Sequence, residues 1–330
     1  MATYKEIRGT NIEVVSSDPS NPVDGQVWYN TTSNVLKGMK KTLTGSWASG
    51  GTLNTSPGRF QLGGAGTQTA ALAFGGGTQW PGVGVTANTE TYNGSNWTEV
   101  NNLNTSRRNL TGLGLQTAAL GFGGGPPAKD LTESWNGTNW TEVNDLNTAK
   151  DNNPGGTGTT TAGIAFGGEG SPGAVTATTE TWNGTNWTEV NDLNTARYGL
   201  GAAGTSTSAL GFGGSVSPGG ETELWNGTNW TEVNDLNTGS REGAGGFGAS
   251  NTSALCIGAA PGGNTEEWNG TNWTEVADLS TAVSNPGPTQ SGTTSLGAIF
   301  GGFSPPGIIP QQTTEEWTGP TDTTVTFTDS

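Results

Sequence analysis

The chain has 330 residues but no histidine, one cysteine, two methionines, and only 12 Lys and Arg against 28 Asp and Glu. Each shortage excludes something. Without histidine there is no imidazole for acid–base work, for a Ser-His-Asp triad or for metal ligation. A lone Cys256 cannot build an internal disulfide framework or a cysteine zinc site. It stands in SALCIGA where the sister phrase SALGFGG has Gly211, so a buried small apolar role is expected rather than a reactive thiol. Nucleic-acid binders neutralise phosphates with Lys and Arg. With a net charge of −16 and only the short clusters Lys37–Lys41 and Arg107–Arg108, no nucleic-acid partner is expected. No apolar run nears the ~18 residues of a membrane helix, so no membrane insertion is expected. The start, MATYKEIRGTNIEVV, has no apolar h-region, and no secretory leader is expected. The Asn-X-Thr sequons then read as turn chemistry. No Gly-rich run has the Gly-x4-Gly-Lys-Ser/Thr pattern that cradles phosphates, and no cofactor is expected.

What is present is glycine, 57 residues, and tryptophan, 13 residues. High glycine alone fits disorder, but disordered chains are poor in aromatics, so a strand-rich fold with tight turns fits better. One phrase recurs: ETYNGSNWTEVNNLNT (90–105), ESWNGTNWTEVNDLNT (133–148), ETWNGTNWTEVNDLNT (180–195), ELWNGTNWTEVNDLNT (223–238) and EEWNGTNWTEVADLST (266–281). The second Trp of the phrase returns at intervals of 43, 47, 43 and 43 residues, the length of a four-stranded propeller blade. An apolar run ending in Gly-Gly, once in Gly-Ala, precedes each first aromatic and ends at Gly76, Gly124, Gly168, Gly214, Ala259 and Gly302. In the repeat over 195–235, strand a is expected around Tyr198–Ala203, b at Ser208–Gly213, c at Glu221–Trp225 and d at Trp230–Val233. Asn226-Gly-Thr-Asn229 closes the c–d hairpin, because Asn and Gly tolerate positive φ. A sheet alone cannot cover both its faces, whereas sheets packed radially cover one another.

An apolar strand ending in Gly-Gly, an aromatic closing the third strand and a Trp on the fourth resemble the kelch-type β-propellers. Phe212-Gly213-Gly214, Trp225 and Trp230 carry the resemblance, which spans about 45–325. It departs in using Trp-Asn-Gly where that family has Tyr-Asp. It implies an all-β propeller of four-stranded antiparallel blades; the six apolar runs suggest a six-bladed one, with seven blades as the alternative. Trp47 precedes Leu53 by six residues, as Trp97 precedes Leu103, so TGSWASGG is expected to supply the fourth strand of the last blade. TTVTF (323–327) competes for that place, and VLKGMKKTL (35–43) offers another strand.

Residues 1–43 lie outside the repeat, and 44–330 form the expected propeller. SDPSNPVDGQVWYNTTSNVLKG (17–38) reads as a Pro-rich turn and a hairpin, with Val27–Tyr29 and Val35–Leu36 as strands and Thr31–Asn34 between them. The phrase resembles segments of virion structural proteins of tailed bacteriophages, tail fibres among them. That resemblance implies a virion location and attachment to other virion proteins through this segment; it leaves an oligomer open.

Catalytic candidates are few. Glu133, Glu180, Glu223, Glu266 and Glu315 stand two residues before the first Trp of each repeat, and their recurrence reads as solvated or blade-edge charge. The Asn-Asp-Leu-Asn phrases offer one carboxylate each, against the six to eight oxygens of calcium, and read as connector turns. Ten of the Trp residues sit at repeat anchors, but Trp80 does not. The b–c loops vary freely while the c–d loop is nearly constant, and binding concentrates on loops carried by a rigid frame. Trp80, Val83, Phe303, Ile308 and Ile309 are therefore the candidate contact residues. The expected function is a non-enzymatic, tail- or fibre-associated virion protein whose loop face meets a host-surface glycan or protein. A capsid-decorating or scaffold role, or a carbohydrate-active enzyme with a central acidic pocket, are the alternatives.

Overall fold

A computed structural model describes residues 12–23, 25–41, 45–80, 84–215, 219–239, 241–259, 262–304 and 308–327. Among these there is no helix, and the regular structure is strand throughout. The chain divides into two compact units.

The first unit holds one four-stranded sheet, ordered Glu13–Val15, Val27–Asn30, Val35–Lys41, Asp322–Phe327. The middle two strands form the hairpin expected from the sequence, with Val27 opposite Gly38 and Asn30 opposite Val35. Asp18, in the Pro-rich turn, ties that turn to the sheet. Its carboxylate accepts from Lys37 Nζ at 2.7 Å, Trp28 Nε1 at 3.0 Å and Asn30 Nδ2 at 2.7 Å. These donors, Lys37 foremost, hold the Asp18 carboxyl down to about 2. The TTVTF stretch, assigned from sequence to the propeller segment, pairs instead with Val35–Lys41, Thr326 opposite Lys37. Six consecutive pairings in that ladder outweigh the proximity in sequence of TTVTF to Trp317.

The second unit, Ser46–Thr318, is a β-propeller-like array of repeated four-stranded antiparallel sheets. In the first sheet strands a to d are Gly63–Thr67, Ala70–Phe74, Thr89–Tyr92 and Trp97–Val100. The next four sheets repeat this order, with d strands opening at Trp140, Trp187, Trp230 and Trp273. A sixth is built from Gly287–Pro288, Leu296–Phe300, Thr314–Thr318 and, from the other end of the unit, Ser46–Ser49, with Trp47 opposite Trp317.

The repeated anchors make the packing. Trp225 and Trp230 face each other across the c–d hairpin with ring centroids 5.4 Å apart. The Phe ending strand b stacks on the d-strand Trp of the following sheet: Phe74 on Trp140, Phe122 on Trp187, Phe166 on Trp230, Phe212 on Trp273, and Phe300 on Trp97. Each such indole also donates to a Thr hydroxyl of the preceding sheet, as Trp230 does to Thr179 at 3.1 Å and Trp97 to Thr314 at 2.9 Å. The inner strands lie so close that a Cβ on Gly112 would stand 2.3 Å from the carbonyl oxygen of Gly64. Gly213 and Gly214 both take positive φ, 66° and 105°, which side-chain-bearing residues resist. The turn they form lets the Gly214 N–H reach the Arg241 carbonyl of the next connection at 3.3 Å.

Candidate functional site

The b–c loops and the d–a connections lie side by side. The residue after four of the Gly pairs is bridged to the connection that enters the same sheet: Gly77 to Phe60, Gly125 to Arg108, Glu169 to Asp151 and Phe303 to Ser284. This side is therefore built from the variable loops plus the connections, as the expected contact face requires. The near-constant Asn-Gly-Thr-Asn loops have a structural use instead. Asn101, Asn191 and Asn234 donate to Asn139, Asn229 and Asn272 in the following loop at 2.8, 2.8 and 2.9 Å, which fixes those loops in kind.

The recurring glutamates are not solvated. Glu133, Glu180, Glu223, Glu266 and Glu315 are buried, as is Glu90 of the first sheet. Each sits two residues before a buried aromatic in a strand, hence on the same face. Their partners come from the preceding connection, where a cation occupies one repeated slot. Arg59 meets Glu90 at 2.8 Å, Arg107 meets Glu133 at 3.2 Å and Arg197 meets Glu223 at 3.0 Å, all inside the protein. Lys150 fills the slot before Glu180 and donates to the Thr178 carbonyl at 2.9 Å. Arg241 donates to the carbonyl of Asn264 at 2.9 Å and to Cys256 Sγ at 3.3 Å. In the sixth repeat Val283 replaces the cation, and Glu315 accepts the backbone N–H groups of Ser280 and Thr281 at 2.8 and 2.9 Å. Burial lowers the Arg59 guanidinium to about 10 against the pull of Glu90, and lowers the Lys150 ammonium to about 8. Burial likewise raises the Cys256 thiol, which is fully enclosed. The Asp of Asn-Asp-Leu-Asn, and of Ala-Asp-Leu-Ser in the fifth phrase, serves the connector: Asp145, Asp192, Asp235 and Asp278 accept the N–H of Thr132, Thr179, Thr222 and Thr265.

Inward of the cations, backbone bonds run from sheet to sheet. Asn109 N–H donates to Gln61 O, Asn153 to Asn109, Gly199 to Asn152, Gly243 to Gly199, Asn285 to Gly243 and Gln61 to Asn285, at 2.7–3.1 Å. The slot demands left-handed backbone: φ is 55° at Gln61, 59° at Asn109, 54° at Asn152 and 54° at Asn285. Within this girdle the Asn153 side chain donates to that of Asn285. Behind it lies a cavity of about 40 Å³, bordered by Gly64, Gly112, Gly156, Ala202, Gly246 and Pro288, one from each sheet. None of its described lining residues is ionisable. Among the described residues the recurring glutamates lie away from this cavity, three of them in ion pairs with the connection cations.

Four of the five predicted contact residues can be placed; Val83 lies outside the described residues. Trp80 is 51% exposed, and its ring stands 6.2 Å from that of Phe60. Phe303 meets the same Phe60 edge-on at 5.9 Å. Phe303–Ser304 pairs with Ile309–Pro310, which sets the 59% exposed Ile309 beside the cluster, while Ile308 is half-buried at a φ of 47°. Two loops more than 200 residues apart in sequence are thus joined through Phe60, fully buried beneath them. Phe60 escaped the sequence reading; its signal was its place just after the buried cation, where other repeats carry Arg108, Asp151, Tyr198, Glu242 and Ser284.

No family model matches the chain, and no curated protein matches it.

Proposed function

We propose that the chain is a non-enzymatic binding module of a tailed-phage virion. Its second unit forms a closed six-bladed propeller, and the side built from b–c loops meets a host-surface glycan or protein. The observation that carries the binding role is the Trp80–Phe60–Phe303 cluster with Ile309 beside it: exposed aromatic and aliphatic surface on variable loops over a buried aromatic floor. Exposed apolar groups gathered on one loop face mark contact surfaces. The closed ring is supported by the Trp47–Trp317 pairing, the Phe300–Trp97 stack and the cyclic girdle of backbone bonds. The virion setting rests on the resemblance of residues 17–38 to tailed-phage structural proteins, and attachment to other virion proteins is assigned to that segment.

Two measurements test this. Immunogold labelling of purified particles with an antibody to the chain is expected to mark tails in few copies; a dense coat of label on capsids favours a decorating role, and unlabelled particles refute the virion setting. Fluorescently labelled full-length chain is expected to bind the cells those particles infect, with Trp80→Ala reducing binding at least tenfold. Binding unchanged by Trp80→Ala removes the contact face assigned here.

A further inference from the structure

We infer that a polar pocket between the b–c loops of the second and third sheets is a saccharide site. This deepens the contact-face reading and rests on it. The pocket has a volume of about 340 Å³, within the range of small-molecule sites. Pro126, Pro127 and Pro172 contribute apolar walls, and Arg108, Asp151 and Glu169 line it.

Its polar groups are unbalanced in an informative way. Arg108 Nε and Nη1 have no hydrogen-bond partner in the protein. Asn109, also lining the pocket, is 3% exposed; its amide nitrogen donates to Asp151 Oδ1 and Asn152 Oδ1, but its Oδ1 has no partner. Asn152 donates in turn to Glu169. Polar groups withdrawn from water in folded proteins are nearly always hydrogen-bonded, so donors and an acceptor left over on one cavity wall point to a ligand. Burial raises the carboxyl of Asp151, marking it as a group shielded from solvent.

The ligand must offer acceptors to Arg108 and donors to Asn109, Asp151 and Glu169 at once. Vicinal hydroxyls of a neutral saccharide do both. A phosphate or sulfate would satisfy Arg108 but face two carboxylates on a chain of net charge −16. A divalent cation would suit the carboxylates and be opposed by Arg108. The Arg108 stem also approaches the aromatic cluster: a Cβ on Gly77 would lie 3.4 Å from Arg108 Cδ and 3.0 Å from the Phe60 ring. A saccharide held in the pocket can therefore continue as a chain toward Trp80.

The test is an array of defined neutral oligosaccharides read with labelled full-length chain, followed by calorimetric titration of the tightest binder. Arg108→Gln and Glu169→Gln are each expected to weaken that binding at least tenfold with melting temperature unchanged. Trp80→Ala reports separately on the contact face, so loss with Trp80→Ala but not with Arg108→Gln overturns the pocket and spares the face. Failure of every arrayed saccharide to bind, or tight binding of inorganic phosphate or Ca²⁺ in its place, overturns the saccharide assignment.

Discussion

Arg197 and Glu223 show what one residue slot contributes. Both are enclosed, and the guanidinium also donates to the Gly213 carbonyl at 2.9 Å. Removing one partner leaves the other charge buried alone, which costs about 3–5 kcal/mol. Arg197→Ala is expected to lower the urea midpoint accordingly, whereas Arg108→Gln, on a half-exposed loop, is not. Lys150 gives the slot a pH signature. Its folded value, about 8, lies below its ordinary 10.5, so the unfolded chain binds more protons between those limits and stability rises with pH there. At ~1.4 kcal/mol per unit the contribution is on the order of 3 kcal/mol, fully present above the unfolded value and lost as pH falls through about 8. Lys150→Arg, the residue of the sister repeats, removes that titration. Urea unfolding of both proteins from pH 7 to 10 is expected to show the wild type gaining on the variant as pH rises. Ala259 offers a gain: it sits at a φ of 81° in the second glycine slot. Left-handed strain of about 1–2 kcal/mol, less the entropy glycine loses on folding, makes Ala259→Gly stabilising by up to about 1 kcal/mol in thermal melts.

At the scale of strands and hairpins, indole packing dominates. Trp230 is buried against Trp225 and Phe166, so Trp230→Ala is expected to cost about 3–5 kcal/mol, measured by chemical unfolding. Exposed Trp80 is expected to cost under about 1 kcal/mol. The b, c and d strands were legible because the text repeats and the Trp pair brackets an Asn-Gly turn. Strand a was placed early, around Tyr198–Ala203 against the observed Gly201–Thr205, because the connection before it is held by a buried cation and a left-handed residue rather than by hydrophobic alternation. The glutamates misled because composition suggests solvated acids, while the two-residue spacing to a buried Trp carried the opposite signal. The partner of TTVTF was illegible, since a ladder to residues almost 300 positions away leaves no local mark. Of the proposed contact site, Trp80 and the Phe303–Ser304 and Ile309–Pro310 strand pair were singled out from loop variability. Phe60 and the polar pocket arise only when connections from different repeats are brought together.

At the scale of the whole molecule, we propose that the sheets cover one another in a ring and leave the unlike loops to make contact. Three of the sheet-to-sheet contacts also join the sixth sheet to the first: Phe300 on Trp97, the Trp97 indole on Thr314, and Gln61 on Asn285. The strand that completes the sixth sheet comes from Ser46–Ser49, so that sheet is built from residues at opposite ends of the unit. An experimental density map of the full-length protein, viewed down the axis of the second unit, tests this most directly. It should show six blades, with Trp47 opposite Trp317 in the last. An open ribbon, a seventh blade, or Asp322–Phe327 in the place of Ser46–Ser49 would contradict it.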